Sequence, residues 1–230
     1  MSGSAFVTRV TETGEKVCWK KTEIEFVLDE SLSALGPLEE VENTIIDAFD
    51  TWVDMADLPL RFSFVRGICD TPGYRKGEAN LNCIMVLDDY WDEGSDPGAT
   101  AVVSHGAWSG HIMDADIVFN LDLVSNIDEL GAKMDRVRNV ALHEVGHVLG
   151  LSHTDVNQAS MFPFMDNSME GTMELHDDDR EGALSLYEGF GTNVGPAGCS
   201  VVNVAATDSP ELACWLIITA LGLLWRVRRK

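Results

Sequence analysis

The sequence predicts an α+β fold, because its periodic stretches run strand, helix, several strands and then helix. Three observations carry this. Residues Thr22 to Leu28 alternate, with Ile24, Phe26 and Leu28 on one face. Leu38 to Met55 places Val41, Ile45, Phe49, Trp52 and Val53 at helical spacing with acids between them, one amphipathic helix after the Gly36-Pro37 turn. His143 to His153 reads HEVGHVLGLSH at the end of a helix expected from about Asp135 to Leu149.

Between the two helices, Arg61 to Val65, Leu81 to Leu87, Ala101 to Ser104 and Ile117 to Asn120 read as strands. Loops rich in Gly, Asp and Pro separate them, most clearly Asp88 to Gly98. The chain of 230 residues is long enough for one good core. Lys plus Arg number 16 against 38 Asp plus Glu, a formal net charge of -22. Such a balance repels nucleic acid and anionic headgroups, so neither is expected as a partner of the main domain.

The histidine cluster is the most specific feature. His143 and His147 are four apart, which puts both rings on one helix face a turn apart, within reach of one ion. Glu144 points about 100° away around the helix, beside the ion, where it can hold a water. Gly150 can take positive φ and end the helix, turning the chain so that His153 returns as a third ligand. Three histidines leave a tetrahedral zinc one open position, the arrangement of a catalytic site. Glu144 is then the base for an acidified water. The full HExxHxxGxxH pattern should arise by accident in roughly one chain of this length in ten thousand, so chance is set aside.

The motif resembles that of the metzincin peptidases, and Met161, eight residues past His153, is similar to their methionine turn. The Met161, Phe162, Pro163 order resembles the matrixin branch, which includes the matrix metalloproteinases. Astacins and serralysins carry a zinc-binding Tyr two residues after the methionine, where this chain has Pro163. A third block, LHDDDREGALSLY from Leu175 to Tyr187, is similar to the C-terminal helix of matrixin catalytic domains. Two acids in its first turn, Asp178 and Asp179, also suit the helix dipole, and the architectural reading is preferred for them.

The resemblance covers about Trp19 to Gly189 and implies a zincin-like catalytic domain: a twisted mixed sheet, an active-site helix and a C-terminal helix. It implies one catalytic zinc, with Met161 as an apolar floor beneath it and Pro163, Phe164 and Met165 as the wall of the pocket for the residue after the scissile bond. Met165 stands where matrixins usually carry Tyr. It further implies an edge strand above the zinc that pairs with an extended peptide substrate, best matched by Val102 to Ala107, with Val103 and Ser104 against the substrate. The organisation expected is an N-terminal segment 1–18, a catalytic domain 19–190, a linker 191–211 with Cys199, and a tail 212–230.

Two departures stand out. Matrix metalloproteinases hold a second, structural zinc with His and Asp. His105 matches one such ligand, but Ile112 occupies the next, no upstream His-x-Asp is present, and His111 is a lone loop histidine. One zinc is therefore expected. Asp114 and Asp116, in MDADIVFN, are equally readable as calcium ligands or as strand caps. No PRCGxPD-type motif occurs, so latency through a cysteine switch is not expected.

Cysteines stand at 18, 69, 83, 199 and 214. Cys69 and Cys83 flank a polar loop between two strands and read as a disulfide of an exported domain, whereas Cys18 has no obvious partner. The first residues lack the apolar core of a signal peptide. Gly198-Cys199, an apolar run from Leu212 to Trp225 and the basic end Arg226 to Lys230 resemble the C-terminal sorting tags of myxobacterial surface proteins. Fourteen residues are short for a span that needs about 20. The expectation is a monomer secreted or held at a bacterial surface through this tail or a processed Cys199, with the true start upstream of Met1. The competing reading is a catalytically silent or single-substrate module that grips an extended peptide. A pure binder has no use for Glu144.

Overall fold

A computed structural model describes residues 5–91, 98–163 and 173–189. Ten elements are labelled here in chain order: β1 (Val7–Thr8), β2 (Glu23–Asp29), α1 (Leu38–Ala56), β3 (Arg61–Gly67), β4 (Asn82–Val86), β5 (Ala99–His105), β6 (Ile112–Phe119), α2 (Leu130–Leu149), β7 (Leu151–Ser152) and α3 (Asp177–Tyr187).

Five strands form a mixed sheet in the order β3-β2-β4-β6-β5. β2 runs parallel to β3 and β4, and β4 parallel to β6. β5 alone is antiparallel, pairing with β6 and leaving its other edge open. The α+β expectation holds. One face of the sheet carries Ile24, Phe26, Leu28, Ile84, Ile117 and Phe119 into a core shared with α1, α2 and α3, while the opposite face buries a smaller set around Val27, Cys83, Met85 and Val118. Phe26, Phe49, Phe62 and Phe64 cluster with ring centroids 4.9 to 6.3 Å apart, tilted or edge-on except for the stacked pair Phe26 and Phe64. Such aromatic pairs add about 0.5–1.5 kcal/mol each beyond the area they bury, and these tie α1 to the sheet.

Two boundaries differ from the sequence expectation for local reasons. α2 begins at Leu130, five residues early, because the Glu129 carboxylate caps the Ala132 N–H at 2.6 Å. β6 begins at Ile112 rather than Ile117, because Asp114 and Asp116 are buried in the strand instead of lying in a loop. Asp116 accepts from Gly73 N–H at 2.6 Å and Cys83 N–H at 2.8 Å, so it braces the β3–β4 loop. The Cys69–Cys83 disulfide, with Cα atoms 6.1 Å apart, closes the same loop. Cys18, for which the sequence offers no partner, is disulfide-bonded as well.

The N-terminal segment is docked on the far end of the chain. β1 pairs antiparallel with β7, Arg9 N–H donates to the Gly150 carbonyl at 2.8 Å, and Ala5 N–H donates to Asp178 at 3.0 Å. No helix among the described residues is long and apolar enough to cross a membrane, and the tail 212–230 lies outside those residues.

Candidate metal centre

The helix that presents the histidines is held from behind by three side chains that reach its carbonyls. Trp52 Nε1 donates to Leu142 O at 2.8 Å, Trp19 Nε1 to Val148 O at 3.0 Å, and the Tyr187 hydroxyl to Leu149 O at 2.8 Å. The last two bonds satisfy carbonyls in the final turn, where intrahelical partners run out. α2 then stops at Gly150, whose φ is 105°. A Cβ there would overlap the Val17 carbonyl oxygen, so the glycine is needed for close approach as well as for its backbone conformation.

His143, His147 and His153 are brought together, with their candidate ligand atoms all within 4.8 Å of one another. His153 Nε2 lies 3.2 Å from Nε2 of both His143 and His147. On the outer side of the rings, His143 Nδ1 is 2.6 Å from the Ser160 carbonyl and His147 Nδ1 is 2.9 Å from the Leu151 carbonyl. A carbonyl only accepts, so each Nδ1 carries the proton and each neutral ring turns a bare Nε2 lone pair inward. Burial, first of all, pushes His143 down to about 4 and His147 to about 3, which keeps both rings neutral.

Bare nitrogen lone pairs facing one another at this separation fit a cation between them. Tetrahedral zinc with Zn–N near 2.05 Å would set its nitrogens roughly 3.3 Å apart. The residues therefore fit zinc. Among the described residues this is also the one group of three or more His, Cys, Asp or Glu able to hold an ion. His105 and His111 do not join such a group. His105 Nδ1 is 3.5 Å from the Gly106 carbonyl, and His111, with a buried unpartnered Nδ1, is shifted down by burial and by Lys20 and Lys21.

Glu144 sits on the neighbouring helix face, 5% exposed. Burial is the main cause that pushes it up to about 7, against the lowering effects of a hydrogen bond from the Ala101 N–H and of the Arg9 charge. Its Oε2 has no partner. The bond from Ala101 places this carboxylate directly beneath edge strand β5, on which Val103 and Ser104 lie half-buried.

Beside the helix that bears His143 and His147, Met161 is 2% exposed. It lies against Gly146, where a Cβ would overlap the Met161 sulfur and crowd the Trp52 ring. The turn bearing Met161 is held by Asp179, which accepts from Ser160 N–H at 2.7 Å, Met161 N–H at 3.0 Å and His176 N–H at 2.9 Å. Asp178 accepts from the Thr154 hydroxyl at 2.9 Å as well as from Ala5. Both aspartates are thus architectural, and Asp179 reaches the centre through the Ser160 carbonyl on His143. Pro163 is exposed beyond the turn, and Phe164 and Met165 lie outside the described residues.

Sequence reasoning missed Gly146, Asp179 as the support of Ser160, and Arg9. The packing of Gly146 on Met161 had a faint signal, a glycine inside a helix four residues before the glycine that ends it. Arg9 had none, since its place depends on the pairing of β1 with β7.

The matrixin family model matches residues 18–188. The chain is 28% identical to "Matrix metalloproteinase-2" of Drosophila melanogaster over 173 residues, 74% of this chain and 21% of that protein. It is 30% identical to the macrophage metalloelastase of Oryctolagus cuniculus over 151 residues, 66% of this chain and 30% of the relative. It is 27% identical to karilysin of Tannerella forsythia over 202 residues, 84% of this chain and 37% of the relative. The aligned part of the chain thus spans between about a fifth and two-fifths of these relatives.

The chain belongs to the matrixin family, a family of zinc metalloproteases.

Proposed function

We propose that this matrixin is a zinc-dependent endopeptidase that hydrolyses extended peptide or protein substrates, holding one zinc on His143, His147 and His153 with Glu144 as general base. The observation that carries the reading is the convergence of the Nε2 atoms, at 3.2 Å from His153, with the Nδ1 protons of His143 and His147 committed to carbonyls. Zinc, when bound, supplies Lewis acidity toward a water and a substrate carbonyl.

The chain's own residues supply the rest. An extended substrate adds to the open edge of β5, beside Val103 and Ser104, through main-chain hydrogen bonds. That edge lies over Glu144, so the peptide bond and the base come to the same place. The unpartnered Oε2 of Glu144 takes the proton of the attacking water and passes it to the leaving amine. The pocket for the residue after the scissile bond is assigned to Pro163, Phe164 and Met165, of which Phe164 and Met165 lie outside the described residues.

The Cys69–Cys83 disulfide supports placement outside the reducing cytosol. The surface-retained form, processed at Cys199, is the cellular counterpart of this reading. The test is direct. Glu144→Ala should keep zinc and fold while hydrolysis of a peptide library falls by about 10²-fold to 10⁴-fold, and His147→Ala should lose the metal too. Wild-type hydrolysis by Glu144→Ala protein would sink the assignment.

A further inference from the structure

The face of the sheet turned away from the helices is crossed by the β3–β4 loop. Asp114 and Asp116 belong to that face: Ala115 and Ile117 between and beside them enter the main core, whereas Val118 joins Val27, Cys83 and Met85 on the outer side. The loop is fastened there by the Gly73 N–H on Asp116, by the Tyr74 N–H on the Ser104 hydroxyl at 3.3 Å and by the Cys69–Cys83 disulfide. Between loop and sheet lies a cavity of about 260 Å³, lined by Asp114 and Asp116 and by Ile68 and Leu81 among others. Ile68 is 85% and Leu81 52% exposed, which puts these two on the solvent side, while both aspartates are buried.

Four carboxyl groups, on Asp70, Glu78, Asp114 and Asp116, line this cavity against one guanidinium. That guanidinium, Arg75, is already ion-paired with Asp70 at 3.4 Å and with Glu78 at 3.0 Å. The two strand acids differ in their partners. Asp116 takes the Gly73 and Cys83 N–H groups, whereas Asp114 is 2% exposed and its Oδ2 has no hydrogen-bond partner. A buried acceptor left without a donor is costly, so this oxygen is suited to a donor that arrives. Burial, and then Asp116, push Asp114 up to about 7 against the Arg75 charge, so the pair holds about one proton near neutral pH. Among the described residues no third carboxylate, imidazole or thiol converges with these two, which is a poor donor set for a hard metal ion.

We propose that this cavity binds the cationic side chain of a basic peptide, an ammonium or guanidinium on an aliphatic stem, with Asp114 Oδ2 as its acceptor. Ile68 and Leu81 cover the methylenes while the charged head reaches Asp114, the division that lysine and arginine side chains adopt on a half-apolar surface. The same two exposed side chains give the neighbouring residues of a peptide apolar ground, which a free amine does not need. Once the pair has given up its proton, the bond is charge-assisted on both sides and forms away from bulk water. A formal net charge of -22 draws basic chains toward the whole molecule, and the cavity gives one of their side chains a place. α2, which bears His143 and His147, packs into the core on the other face of the sheet, so the bound peptide need not be a substrate and the inference does not depend on the peptidase reading.

The test is a ligand-observed NMR titration of the zinc-loaded full chain at about pH 8, where the Asp114–Asp116 pair has given up its shared proton. The probes are Nα-acetyl-lysine amide and Nα-acetyl-arginine amide, each beside its neutral counterpart, the Nε-acetyl-lysine or the citrulline amide. At least one cation should bind about tenfold more tightly than its neutral counterpart. Asp114→Asn, which keeps the shape of the side chain, should bring that ratio near one. Leu81→Lys, on the exposed rim, should lower it by setting a competing ammonium at the entrance, and it serves where Asp114→Asn does not fold. Equal affinity for charged and neutral probes, or a ratio that survives in Asp114→Asn or in Leu81→Lys, overturns the proposal. Butylamine, a stem and head without a peptide, should bind more weakly than the lysine amide, and equal affinity would assign the cavity to free amines and overturn the peptide. So would calcium chloride that raises the thermal midpoint of wild type but not of Asp114→Asn while neither amide binds, since the pair would then be an inorganic cation site.

Discussion

Glu144 on α2 and Asp179 on α3 are both buried carboxylates, yet their surroundings are opposite. Asp179 takes three main-chain N–H groups and fastens the turn that carries Ser160 and Met161. Glu144 receives the Ala101 N–H and keeps Oε2 empty. Burial raises the pKa of both, and the three donors on Asp179 work against it. An acid that serves the scaffold is saturated with donors, whereas an acid meant for chemistry must keep a lone pair for something that arrives later.

The contrast can be broken most severely at Glu144. Glu144→Gln should lower kcat/KM by about 10³-fold while leaving the thermal midpoint unchanged or higher, because a poorly compensated buried charge is removed. A large loss of stability in this variant would mean that Glu144 is scaffold like Asp179. Next in size is the response to acid of the zinc-free protein. His143 and His147 have folded pKa values near 4 and 3, below an unfolded value of 6.5. Between those limits the unfolded chain binds more protons at these rings, so the two together withdraw roughly 5 kcal/mol as pH drops from about 6.5 toward 4, while Glu144, raised to about 7, works in the opposite direction. Chemical denaturation of the apo wild type and apo His147→Gln from pH 7 to pH 4 isolates the ring's share, and identical acid responses would contradict a buried neutral His147. Zinc should be released over the same window, since protons compete for the same lone pairs.

Asp179→Ala should cost roughly 2–3 kcal/mol by stranding buried N–H groups, with activity lost through disorder of Ser160 and Met161 rather than through the base. A variant as stable as wild type would show that the turn does not need this acid. The smallest effect is expected at Gly146→Ala, about 1–2 kcal/mol from overpacking against Met161. Met161→Ala combined with it should recover part of that loss, and strictly additive losses in the double variant would argue that the two residues do not touch in solution.

How far the sequence disclosed this molecule varies from element to element. The histidines were legible because their spacing acts through the geometry of one helix and one glycine turn, both local. The strands and α1 were legible where one face is apolar, as at Ile24, Phe26 and Leu28. β6 was cut short because two buried acids, Asp114 and Asp116, interrupt its pattern, and their compensation comes partly from a loop some 40 residues away. Asp179 was readable as a first-turn acid suited to the helix dipole but not as the holder of the turn that bears Ser160 and Met161, since its partners are set by tertiary folding. Arg9 was invisible for the same reason.

The stitching of the first residues to the last has a consequence in time. Ala5 waits for Asp178, Lys16 for Ser185 and the Trp19 N–H for the Tyr187 hydroxyl, separations of 173, 169 and 168 residues. A chain emerging from the ribosome at about 5–20 residues per second holds those ends apart until nearly the whole domain has been made. The strand beside the third histidine, and the clamp on the last turn of α2, therefore close together and late. Nascent fragments would carry the histidines without the frame that aligns them, so the metal centre takes this geometry only once the domain is complete.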